Sequence, residues 1–184
     1  YLKQTPAVGG DTMFSSMYAA YEALSEPLKA FLETLTAEHA SEHVYGGRYG
    51  KEDKLRDGDF PRNVHPVIRT HPITRRKGLF VNSGFTKRIV ELGRKESEAL
   101  LEFLFDHVRT PEFHCRFPWE DNSVAFWDNR CVQHHALWDY YPQVRSGYRV
   151  TIEGDRPFLN RDENPPKPEA TSTRVSGYGL KSRP

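Results

Sequence analysis

The most chemically suggestive residues lie in the second half of the sequence. His134 and His135 follow the run Trp127-Asp128-Asn129-Arg130-Cys131-Val132-Gln133. An aromatic-rich strand that hands a histidine to a loop holds a metal ligand rigidly, although the same pair also suits a surface or a hydrogen-bonded core. Arg145 and Arg149 come next, on either side of Gly147. Side chains alternate faces along a strand, so both guanidinium groups would share one side, with a gap between them. Two inward arginines are costly unless each meets an anion, and guanidinium matches a carboxylate or sulfonate bidentately. On spacing alone, a solvent-facing strand with two ordinary arginines fits equally well. A further pattern, His39-Ala40-Ser41-Glu42-His43, matches the H-x-x-E-H of one zinc peptidase class. That chemistry needs a continuous helix, yet the helical stripe fades after Leu35 and Gly46-Gly47 follows.

The elements that must position these residues read as strands with a few helices beside them. Residues 1–4 suit a strand end, and Pro6 with Gly9-Gly10 a turn. Ser15 or Ser16 can cap a helix running to about Leu24, with Met17, Tyr18, Tyr21 and Leu24 on one stripe. Ser25 is placed to cap a second, with Pro27 tolerated in the first turn. Residues 40–63 are polar and glycine-rich, a long loop of the kind that forms lids. Residues 67–71 and 78–81 suggest a hairpin. Ala99, Leu100, Phe103, Leu104 and Val108 repeat at helical spacing within 95–108, and Pro111 stops that helix. Strands are expected at 113–117, 123–127 and 147–153, followed by a polar tail from about 158. Short strands joined by turns and long loops suit a sandwich or jelly roll, a mainly β fold with flanking helices.

Composition narrows the classes of function. The 184 residues make one ordinary domain. Lys plus Arg number 26 against 25 acidic residues, a net charge of +1, which argues against a nucleic-acid binder. No apolar run approaches the ~18 residues of a membrane helix, so no membrane partner is expected. Cys115 and Cys131 are too few for a disulfide scaffold and fit a reducing, cytoplasmic compartment. Apolar residues reach only 37%, which is lean for this length. Either part of the chain is disordered or part of the core comes from sequence outside this chain, and with no initiator Met a fragment is expected.

Several motifs in order resemble the taurine dioxygenase family of Fe(II)- and 2-oxoglutarate-dependent oxygenases. They are Gly9-Gly10-Asp11-Thr12, the stretch from His65-Pro66-Val67 to Ile89, the helix near Lys95, Trp127-Asp128-Asn129-Arg130 with Gln133-His134, and 145–158. The resemblance covers most of 1–158, weakens in the 40–63 loop, a candidate lid, and leaves 159–184 as a tail. It implies a double-stranded β-helix, with this chain its C-terminal part. It implies that His134, rather than His135, is the distal histidine of a two-His-one-carboxylate triad. Arg145 would bind the far carboxylate of 2-oxoglutarate with Thr12 as its hydroxyl partner, and Arg149 would grip a substrate sulfonate. Phe85 and Tyr45 would wall the substrate pocket, and Trp127 would pack near the iron or simply fill the core.

The reaction implied is hydroxylation of taurine or a related alkylsulfonate at the carbon next to sulfur. It consumes O2 and 2-oxoglutarate and releases sulfite, an aldehyde, succinate and CO2. A sulfate ester, an aryloxyacid or a purine is the alternative small-molecule substrate, and a non-catalytic anion-binding homologue the alternative class. A homo-oligomer is compatible with all of these. One departure stands out: none of the eight histidines is followed two positions later by Asp or Glu. The H-x-D pair that completes the triad is not in this sequence.

Overall fold

The structure, a computed structural model, describes residues 1–41 and 61–161, and the backbone of 175–178. It divides into two compact units. One comprises Tyr1–Ser16, His114–Arg156 and Pro166–Pro184; the other comprises Met17–Phe113 and Pro157–Pro165.

The second unit holds the hydrophobic core. Its helices are α1 (Met17–Glu22), α2 (Glu26–Leu32) and α3 (Arg94–Val108). Ser25 occupies the N-cap of α2 with extended backbone, as expected, but its side chain makes no cap bond. Proline in the first turn loses nothing there, because that N–H has no helical partner anyway. Ahead of α3, the Gly93 N–H donates to the Glu96 carboxylate at 2.9 Å, which occupies one of the donors left open at a helix start. β3 (Thr36–Ala40) lies between β4 (Arg62–Pro66) and β7 (Thr86–Ile89) in an antiparallel sheet. β5 (Ile68–Thr70) and β6 (Lys77–Leu79) form the expected hairpin. Leu32, Val67, Ile68, Leu79, Val81, Ile89 and Leu104 are fully buried among these elements, each worth about 1.5–3 kcal/mol of transfer free energy. The buried Ser97 hydroxyl accepts the Ile89 N–H at 2.8 Å, tying β7 to α3 where a bare donor would be costly.

The first unit is built on thinner sheets. β2 (Thr12–Ser16) lies between β8 (His114–Phe117) and β9 (Val132–Ala136), antiparallel to both. β1 (Leu2–Gln4) pairs with the two-residue β10 (Ser146–Gly147), and β11 (Arg149–Ile152) with β12 (Val175–Tyr178). Gly147 is required where it stands. A Cβ there would come within 2.3 Å of the Tyr1 carbonyl oxygen, so no side chain fits against β1.

Several expectations change. The helix placed from Ser15 or Ser16 begins at Met17, because 12–16 is strand β2. His39 lies on strand β3, so the helix that an H-x-x-E-H zinc site needs is not formed; His43 is outside the described residues. The ends of the expected loop are strands, with Ala40 paired to Arg62. Residues 123–127 form no strand, and the 147–153 strand is interrupted at Tyr148, whose N–H donates to the Tyr1 carbonyl. Arg145 precedes β10 instead of lying within a strand. The tail contributes too: 175–178 pairs with β11, and Thr70 donates to the Phe158 carbonyl at 2.7 Å.

Candidate active site

The β2 register brings the expected cosubstrate and metal residues to one face of the first unit. Thr12 stands opposite Ala136, and Phe14 opposite His134. Residues two apart on a strand share a face, so Thr12 and His134 lie on the same side, one step apart along the sheet. His135 pairs with Met13 and points to the other face. Of the adjacent pair, His134 is the one on the face of Thr12.

Thr12 is buried and its hydroxyl oxygen is approached by two donors. Trp119 Nε1–H donates to it at 2.9 Å and an Arg145 guanidinium N–H at 3.3 Å. With both lone pairs engaged, the threonine proton is directed outward as a donor. The Arg145 Nε is buried and finds no acceptor among the described residues, while its guanidinium lies 5.7 Å from the Trp119 ring centre. An unpaired charged donor beside a hydroxyl donor is a carboxylate-binding arrangement. These residues have the chemistry to hold the far carboxylate of 2-oxoglutarate.

Backbone geometry holds this pair in place. Gly9 and Gly10 have φ of +80° and +73°, a conformation that disfavours any side chain. A Cβ at Gly10 would also crowd Arg145 Cδ at 3.2 Å. The Asp139 carboxylate accepts the Gly10 N–H at 2.8 Å, and that bond is the main reason its acidity is raised. Arg116 pairs with Asp11 and reaches Asp139 at 3.7 Å, bracing the Gly-Gly-Asp-Thr bend from outside.

His134 is exposed by area but flanked by rings on one side. Phe14 lies 6.5 Å and Trp127 5.0 Å away between ring centres. Desolvation is the largest cause lowering its pKa, followed by the charges of Arg149 and His135. All three favour the neutral imidazole, the form that binds a metal. Trp127 is fixed in turn, donating to Asn129 Oδ1 at 2.9 Å. His134 offers one nitrogen ligand. Arg149, at the start of β11, is exposed and makes no ion pair among the described residues.

Phe85 belongs to the second unit, where it lines a cavity of about 260 Å3 with His39, Asn63, His65, Phe80 and Asn82. Tyr45 lies outside the described residues. Trp119 was not foreseen from the sequence. The signal available was its place two residues after Phe117, at the end of a strand neighbouring Thr12.

Comparison with known proteins decides the family. The profile described as "Taurine catabolism dioxygenase TauD, TfdA family" matches residues 1–151. The chain belongs to this family. A putative alpha-ketoglutarate-dependent sulfonate dioxygenase of Schizosaccharomyces pombe is 44% identical over 162 residues, which cover 86% of this chain and 41% of that protein. An alpha-ketoglutarate-dependent sulfonate dioxygenase of Saccharomyces cerevisiae is 40% identical over 171 residues, covering 86% of this chain and 40% of its own length. The crystal structure of AAD-2 in complex with Mn(II) and N-oxalylglycine superposes with a TM-score of 0.69 at 30% identity, covering 79% of this chain and 57% of that one. The chain therefore spans about two fifths of the length of these curated relatives. The expected double-stranded β-helix is the fold of this TauD/TfdA family. Among the described residues no helix is long and apolar enough to cross a membrane.

Proposed function

We propose that the full-length protein is an Fe(II)- and 2-oxoglutarate-dependent dioxygenase that hydroxylates taurine or a related alkylsulfonate at the carbon next to sulfur. Sulfite and an aldehyde leave, with succinate and CO2 from the cosubstrate. The observation that carries this reading is the pairing of Thr12 with Arg145 one strand step from His134. Relatives described as sulfonate and sulfate ester dioxygenases supply the substrate class. In the AAD-2 complex, Mn(II) stands in for Fe(II) and N-oxalylglycine for 2-oxoglutarate.

Fe(II) with 2-oxoglutarate and O2 supplies the oxidising power for the C–H bond; the protein supplies position. The Arg145 guanidinium and the Thr12 hydroxyl would hold the far carboxylate of 2-oxoglutarate. Neutral His134 offers one metal ligand, held by the Trp127 and Phe14 rings. Arg149 engages the sulfonate, so that the adjacent carbon is presented in one orientation. A guanidinium suits this role because it keeps its charge at any working pH.

The test is a panel assay on the full-length protein with Fe(II), 2-oxoglutarate, and taurine, alkylsulfonates or alkyl sulfate esters. Succinate and sulfite in equal amounts from a sulfonate are the expected result. Succinate formation without sulfite from any sulfonate would overturn the substrate. The absence of both products would overturn the activity.

A further inference from the structure

Arg145 is aligned on Thr12 without a charged partner of its own. Among the described residues its one hydrogen bond goes to Thr12, it makes no ion pair, and its Nε is buried without an acceptor. A guanidinium kept for a ligand's carboxylate cannot be neutralised by a fixed anion. Its long stem has many rotamers to lose, so packing and backbone must hold it in place. The residues that do so, within 6–12 and 136–145, all belong to the first unit.

The ladder between β2 and β9 runs on past Thr12, where the Leu137 N–H donates to the Asp11 carbonyl at 2.9 Å. The next donor, the Gly10 N–H, goes to a side chain instead, the Asp139 carboxylate at 2.8 Å. Gln143 repeats the device, its Oε1 accepting the Ala7 N–H at 2.7 Å. Between the two lies a turn in which the Gln143 N–H donates to the Tyr140 carbonyl at 2.7 Å. Two side chains of 139–143 thus hold the backbone of 7–10, and Arg145 follows two residues later.

Of these two bonds, the one from Gly10 bears on the arginine. A Cβ at Gly10 would stand 2.9 Å from Pro6 Cγ and 3.2 Å from Arg145 Cδ, so the bare Gly10 Cα is the surface on which the stem lies. A Cβ at Gly9 would stand 2.7 Å from Asp139 Oδ1. Carboxylate, glycines and stem are packed in series, and shifting the Gly10 N–H shifts that surface. The Gly10 bond, more than the Arg116 charge, holds the Asp139 carboxyl below the usual carboxylate range.

We propose that Asp139 is a positioning residue for 2-oxoglutarate, seating Gly10 against the Arg145 stem so that guanidinium and Thr12 hydroxyl reach the far carboxylate together. The inference rests on the 2-oxoglutarate reading of that pair and deepens it. What counts in Asp139 is where its oxygen stands rather than its charge. Its side chain is 49% exposed and Arg116 lies 3.7 Å away, an arrangement in which a charge pair contributes little.

Two keto acids isolate the far carboxylate. 2-Oxoglutarate and 2-oxopentanoate share the same chain length and the same 2-oxo acid end, and differ in ending on a carboxylate or a methyl group. Dissociation constants are measured on the full-length protein with Fe(II) and without O2, and the wild type should prefer 2-oxoglutarate. Asp139→Asn keeps an acceptor oxygen facing Gly10 and removes the charge, so it should keep most of that preference. Asp139→Glu keeps the charge and displaces the oxygen. It should lower the preference by about 3- to 10-fold, the range of one hydrogen bond lost from alignment, with 2-oxopentanoate bound as before. A preference undiminished in Asp139→Glu, a preference lost in Asp139→Asn, or equal losses of both keto acids overturns the proposal and leaves the cosubstrate reading standing. A wild type that does not prefer 2-oxoglutarate overturns the reading of Thr12 and Arg145 itself.

Discussion

The two units differ in what their residues are committed to. In the second, Leu32, Ile68, Leu79, Ile89 and Leu104 are fully enclosed, and the buried Ser97 hydroxyl accepts the Ile89 N–H. In the first, large apolar side chains stand outward: Phe126 is 87% and Tyr141 94% exposed. Yet the first unit carries the candidate anion-binding pair and the metal-ligand candidate. One unit is held together by burial, and the other carries the polar groups of the candidate site on thin sheets. Binding energy in the first unit is therefore the natural complement of packing energy in the second, since a ligand that binds only the folded form stabilises it.

Substitutions should separate these two roles. The largest effect on stability is expected from Leu104→Ala, which removes a fully buried side chain and leaves a cavity. It should cost about 2–5 kcal/mol in urea unfolding while leaving the 2-oxoglutarate affinity of the folded protein unchanged. In the first unit, Arg145→Ala should cost about 2–5 kcal/mol of 2-oxoglutarate binding, with far less change for the sulfonate. Arg149→Ala should show the reverse selectivity. Equal losses of both ligands in calorimetric titrations would sink that division of labour. Trp119→Phe keeps a ring beside Arg145 but removes the donor to Thr12. A neutral hydrogen bond is worth about 0.5–1.5 kcal/mol, so 2-oxoglutarate should weaken by that amount and the sulfonate not at all.

A smaller, pH-dependent effect belongs to the second unit. The folded state holds the His39 pKa near 4, below its unfolded value near 6.5. Between these values the unfolded chain binds more protons, so the contribution of His39 to stability is full above pH 6.5 and declines as the pH falls to 4. Below about 4 both states are protonated and the decline ends. His39→Gln should flatten this part of the stability profile, read from denaturation midpoints at a series of pH values. A profile unchanged by the substitution would show that His39 is not held neutral.

Much of the second unit was legible in the sequence because its signals are local. The three- and four-residue repeat of α3 and the turn between β5 and β6 depend on neighbours in the chain. β3 was missed because Thr36-Ala37-Glu38-His39-Ala40 contains little that is apolar; pairing on both edges makes it a strand. The 123–127 segment shows the opposite failure. Its alternation is real, since Val124 and Phe126 are both exposed, but no strand among the described residues forms a ladder with it. The candidate site was legible as a set of residues through the family resemblance, and the structure brings Thr12 and Arg145 into contact beside the strand that carries His134. Trp119 escaped because its role is a contact across strands, which no spacing in the sequence encodes.

The pairing of Phe14 with His134 and Met13 with His135 has an evolutionary corollary. Two adjacent imidazoles sit on opposite faces of one strand, and the register alone decides which of them shares the face of Thr12. Deleting or inserting a single residue just ahead of β9 would exchange them, moving one ring out of the site and the other in. The tandem is thus a built-in toggle. A one-residue length change in the preceding loop could silence or restore the site without altering any residue in it.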